Sequence, residues 1–107
     1  HDSGARSIRR FIRWCRDHGV TPIATWPNAL WFDEYHDEKP QQFFRAIAEF
    51  YDRLDVPLLG QPEGMMPDDR DLFFDSDYHL NRIGVDQQTD RVLDLLTPYL
   101  DDLKPRP

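Results

Sequence analysis

Cysteine occurs once, at Cys15, so no disulfide can form within the chain. A lone thiol on an apolar helix face packs as a small hydrophobe, and nothing near Cys15 in sequence would stabilise a thiolate. No apolar run is long enough to span a bilayer, and no signal peptide is visible. Positive charge is scarce: thirteen Lys and Arg stand against twenty Asp and Glu, a formal net charge of −7. Phosphate contacts need a basic face, so this deficit argues against a nucleic-acid partner and against an anionic membrane surface. There is no glycine-rich loop of the kind that cradles phosphates, no internal repeat and no low-complexity tract. His1, His18, His36 and His79 show no metal-ligand spacing. Asp68, Asp69, Asp71, Asp75 and Asp77 fail the EF-hand pattern, because Leu80 stands where the turn glycine is needed and no Glu closes the loop. No metal or cofactor is expected.

What is present reads as helix, strand, loop, helix, strand, loop, helix within a single domain, residues 1–107. Ile8, Phe11, Ile12 and Cys15 recur at helical spacing and predict a first helix over Ala5–His18. Its arginines, Arg6, Arg9, Arg10, Arg13 and Arg16, read as a solvated face, and Gly19 fits a left-handed C-cap. Val20–Trp26 reads as a short strand bounded by Gly19 and Pro27, with Pro22 near its start or on an edge. The loop 28–39 follows, and Trp26, Trp31, Phe32 and Tyr35 cluster around it. Such a cluster either lines a substrate cleft or covers one end of the core.

Pro40 suits the first residue of a second helix ending near Asp55, with Phe43, Phe44, Ile47, Phe50, Tyr51 and Leu54 on its apolar side. Val56–Leu59 is continuous and apolar, as expected of a strand buried on both faces. The loop 61–78 is rich in Pro and Asp, and a long loop in a compact domain is more often functional than idle. Asn81 is a good N-cap for a last helix over Arg82–Leu103, with Val85, Val92, Leu93, Leu96, Leu100 and Leu103 facing inward. Pro98 should kink or break it, and the tail Pro105–Pro107 should fray.

Alternating helices and strands imply parallel strands joined by right-handed crossovers. The expected fold class is therefore α/β: three layers, α/β/α, around a minimal parallel sheet. Parallel sheets need cover on both faces and usually more than two strands. The remaining strands are expected in an upstream segment or in a partner chain, an expectation that the start at His1 rather than Met reinforces.

Chemistry concentrates in Phe73-Phe74-Asp75-Ser76-Asp77-Tyr78-His79-Leu80-Asn81-Arg82-Ile83-Gly84. In open α/β sheets ligands sit at the carboxyl ends of strands, where this loop should emerge. A histidine there can act as a general base near neutral pH. A carboxylate beside it can fix its tautomer and stabilise the imidazolium.

This stretch resembles the last block of the SGNH (GDSL-type) hydrolases and acyltransferases. In that family an Asp and a His lie a few residues apart just before the C-terminal helix, and His79-Leu80-Asn81-Arg82-Ile83-Gly84 follows the pattern after the His. The resemblance implies an incomplete flavodoxin-like fold in which His79 activates a serine. Asp75 or Asp77 would orient His79, since position 76, the commoner place for the Asp, is Ser. It implies acyl esters of carbohydrate or lipid-like alcohols as substrates and an extracytoplasmic location; the aromatic loop adds Trp26 and Trp31, with Asn28 after the first strand, as candidate substrate-binding residues. The family's Gly-Asp-Ser block follows a strand; Asp2-Ser3-Gly4 resembles it without a strand before it, so the nucleophile is expected outside this chain. Without nucleophile and oxyanion hole the chain alone should be inactive. The rival reading is a non-catalytic α/β binding or assembly module that pairs with a partner through the aromatic loop Trp26–Tyr35 and an open sheet edge; on either reading the missing N-terminal segment or a second copy of the chain is the expected protein partner.

Overall fold

A computed structural model describes residues 2–102. Helix α1 spans Asp2–Asp17, strand β1 Ala24–Thr25, helix α2 Glu38–Arg53, strand β2 Leu58–Leu59, the short helix α3 Pro62–Met65 and helix α4 Arg82–Asp102. Two 3₁₀ turns, Asp33–His36 and Arg70–Leu72, interrupt the stretches read as loops. The expected end of the last helix at Leu103 and the fraying of Pro105–Pro107 lie outside the described residues, as does His1.

β1 and β2 pair in parallel, Ala24 opposite Leu58 and Thr25 opposite Leu59, so the predicted crossover through α2 is present. The sheet among the described residues is these two strands. Both are shorter than predicted. Val20–Trp26 contracts to two residues because Pro22 and Pro27 offer no N–H to a ladder, and the Val20 N–H goes to the carbonyl of Cys15 (2.8 Å). That bond, with Gly19 N–H on Arg16 and Gly19 at φ +71°, closes α1 in a Schellman cap. α2 ends the same way, but on a non-glycine residue: Asp55 sits at φ +55° while Val56 N–H reaches the carbonyl of Tyr51 (3.0 Å). Arg16 crosses from α1 and donates through Nη2 to the carbonyls of both Leu54 and Asp55. At least one of the five arginines read as a solvated face therefore has a structural partner.

The core runs through Ile12, Cys15, Trp26, Trp31, Val56, Leu59, Met65 and Met66, all under a tenth exposed. Several positions predicted inward are not. Phe11 of α1, Phe43 of α2, and Val85, Leu93 and Leu100 of α4 are all about half exposed or more. Their sequence periodicity is right, but no described element covers those flanks. The radius of gyration, 15.7 Å, likewise exceeds the roughly 13 Å of a compact 100-residue domain.

Asn81 caps α4 as predicted: its Oδ1 accepts from Gly84 N–H at 2.9 Å, and its carbonyl accepts from Val85 N–H. Pro98 does not break α4, which continues to Asp102. Pro40 lies in the first turn of α2, two residues after its start, where a missing N–H is tolerated.

Candidate functional site

The loop between the Arg70–Leu72 turn and α4 is closed at its neck. Phe73 and Leu80 form an antiparallel bridge, Phe74 N–H donates to His79, and Asn81 N–H donates to Leu72 at 2.7 Å. Residues 74–79 are thus a tight excursion whose two ends face each other. Phe73 is buried and anchors the near side, whereas Phe74 is exposed and stacks on His79, ring centroids 5.8 Å apart. At the tip, Ser76 Oγ accepts from Tyr78 N–H, and the carbonyl of Asp77 accepts from Leu30 N–H at 2.8 Å. This last bond ties the loop after β1 to the His79 loop.

His79 Nδ1 lies 2.6 Å from Asp75 Oδ1. An ionised carboxylate only accepts, so Nδ1 is the donor in this pair, and in a neutral imidazole Nε2 then keeps the lone pair. Both side chains are more than half exposed, which places the imidazole at the surface of an open cavity. Asp77 turns elsewhere: its carboxylate pairs with Arg70 Nη1 at 2.8 Å. Of the two carboxylates flanking position 76, the one four residues before His79 is brought to it.

The cavity at His79 has a volume of about 440 Å³, and its walls include Asn28, Phe74, Asp75, Tyr78 and Leu80. Asn28 therefore shares the site with His79 and Asp75. Trp26 does not reach this cavity; its indole N–H is held by the carbonyl of Gly60 at 3.1 Å, and its ring walls two neighbouring cavities. Trp31 is 7 % exposed, stacks on Phe44 and belongs to the core cluster with Ala29 and Met66. Its ring is used in packing, which is the core-covering role weighed for the aromatic loop. Phe32 and Tyr35 meet edge to face beside it.

Among the described residues, neither serine nor cysteine lines the His79 cavity. Ser3 lies in the first turn of α1, where its carbonyl accepts from Ser7 Oγ. The neighbouring Gly4 and Ala5 face α2. Cys15 is buried at 1 % exposure. Three of the five loop aspartates have separate partners: Asp69 accepts from Asp71 N–H, Asp75 meets His79, and Asp77 meets Arg70. Among the described residues no group of three or more His, Cys, Asp or Glu could hold a metal ion, and no helix is long and apolar enough to cross a membrane.

Three features escaped the sequence reading: the bridged neck, the Phe74 stack and the Arg70–Asp77 pair. A six-residue turn between Phe73 and Leu80 carries no glycine or proline signal for a hairpin, so nothing local announced the neck. Comparison of the chain with family models, with curated proteins and with solved structures gives no significant match.

Proposed function

We propose that this chain carries the base-and-orienter block of an SGNH-type ester hydrolase or O-acyltransferase whose nucleophile lies outside residues 1–107. The observation that supports it is the 2.6 Å pairing of His79 Nδ1 with Asp75 Oδ1 beside an open cavity that His79 lines. In this reading Nε2 removes the proton of a serine hydroxyl as that oxygen attacks the acyl carbonyl. Asp75 stabilises the imidazolium, which then gives the proton to the departing alcohol. Water, deprotonated by the same nitrogen, releases the acid; in an acyltransferase a second alcohol takes its place. Asn28, which lines the same cavity, would donate to the carbonyl oxygen in this reading. The three-layer, flavodoxin-like arrangement belongs to this proposal, with further strands beyond β1 and cover for the exposed flanks of α1 and α4. The test is labelling of the protein encoded by the whole reading frame with a fluorophosphonate, which reacts with activated serines. Labelling that disappears in His79→Ala is expected; no labelling of the intact protein rejects the reading.

A second reading is favoured by the exposed apolar residues themselves. Phe11, Trp14, Val85 and Leu93 are 48–62 % exposed, which suits a non-catalytic module that pairs with another chain. Concentration-dependent association with an intact, unlabelled His79 loop would support it.

A further inference from the structure

We infer that α1 of one copy of this chain docks on α4 of a second copy through opposed ridges of arginine and aspartate. The inference rests on the assembly reading above, names its partner and its surface, and does not involve the His79 cavity. Arg6, Arg9, Arg10 and Arg13 recur three and four residues apart on α1, so they share one face. All four are exposed, and together they wall a concavity of about 210 Å³. Arg9 is steadied by Phe50, whose ring centroid lies 5.2 Å from the guanidinium carbon. The chain holds twenty acidic residues. Among the described residues, none of them lies within ion-pair reach of these four arginines.

α4 supplies the complement. Asp86, Asp90 and Asp94 recur every four residues, are exposed, and among the described residues pair with no cation. The ridges match in length: about 10 Å from Arg6 to Arg13 and about 12 Å from Asp86 to Asp94 at the helical rise. Within one chain they do not meet. α1 reaches α2 through Arg9 and Arg16, whereas α4 packs on β2 and the Arg70–Leu72 turn. A second copy brings the two together. Every cation of α1 is arginine, and a guanidinium takes a carboxylate through two parallel hydrogen bonds. One exposed pair contributes little, but several on one rigid face act as a network. An antiparallel arrangement sets Arg13 against Asp86 and Arg6 against Asp94. It also brings Trp14 toward Ile83, both more than half exposed, so the contact ends on apolar surface. A nucleic-acid or polyphosphate strand is a poorer occupant, because the rest of the chain is acidic and repels it.

The test is sedimentation velocity of the 107-residue chain over a range of concentrations. Wild type should associate, and its association should weaken about tenfold or more between about 0.05 and 0.5 M salt as screening shortens. Two variants reverse one ridge each: Arg6→Glu with Arg10→Glu and Arg13→Glu, and Asp86→Arg with Asp90→Arg and Asp94→Arg. All six positions are exposed. Each variant alone should be monomeric at unchanged helicity. Mixed, the two should associate again, because each offers the other a ridge of opposite charge. Association that neither salt nor either variant alters overturns the inference and leaves the assembly reading standing, since the contact is then apolar. A monomeric wild type that binds poly-L-glutamate through the three arginines also overturns it, giving the ridge an acidic partner of another kind. A monomeric wild type that binds no acidic chain removes the inference and the assembly reading together.

Discussion

Gly84 packs against the carbonyl of Leu72 so closely that a Cβ at position 84 would lie 2.5 Å from the Leu72 oxygen. That oxygen also accepts the Asn81 N–H. The first turn of α4 and the neck of the His79 loop thus meet at one backbone atom. Neither can shift cheaply, since the neighbour is main chain. We expect Gly84→Ala to destabilise the fold by about 1–3 kcal/mol, the usual cost of forcing an extra methyl into a packed site. A denaturant midpoint unchanged from wild type would show that the neck yields without cost.

Asp75 and Asp77 should separate in the intact, active protein. Asp75→Asn keeps the shape but can present its amide to Nδ1, favouring the wrong tautomer; a fall in kcat of about a hundredfold or more is expected. Asp77→Asn removes the partner of Arg70 and should change kcat by only a few-fold. The two rate constants, measured on one ester, decide between them, and an equal loss in both would refute the assignment of Asp75 as orienter.

Residues 1–107 alone should hydrolyse an activated short-chain ester no faster than the His79→Ala variant. A general base contributes roughly two to four powers of ten only when a nucleophile is within reach, and Ser3 lies on α1 beside residues that face α2. Turnover abolished by both His79→Ala and Ser3→Ala would place the nucleophile at Ser3 after all.

Asp55 holds a left-handed backbone conformation, φ +55°, at the cap of α2. A side chain there costs about 1–2 kcal/mol relative to glycine, partly offset by the greater freedom of glycine in the unfolded chain. Asp55→Gly should therefore raise stability by about 0.5–1 kcal/mol, read from the thermal or denaturant midpoint. A loss instead would mean that the Asp55 side chain contributes something beyond its backbone.

Much of this was legible in the residues. Asn81 before an apolar helix, Gly19 after one, and the two short apolar runs gave the helices, the caps and the parallel pairing, because these depend on local chemistry. Strand length was not legible: Pro22 and Pro27 shorten β1 through donors they lack, and the Cys15 carbonyl captures Val20 from outside the strand. Inward faces were half legible. Periodicity marks Phe11, Val85 and Leu93 as apolar-face residues, but whether another element covers them is not a property of the helix that bears them. At the candidate site, spacing left Asp75 and Asp77 open; in the structure Asp75 meets His79, while Arg70, on a separate 3₁₀ segment, pairs with Asp77.

The Arg16 side chain spans two helix ends: it leaves the last turn of α1 and donates to carbonyls at the end of α2. Helix ends ordinarily fray one by one, each with its own small opening free energy. Here the end of α2 cannot unwind without releasing a guanidinium that α1 supplies, and α1 cannot release it without uncovering those carbonyls. The amide protons of Val20 and Val56, which close the two caps, are therefore expected to exchange with solvent deuterium at a common rate, as one unit.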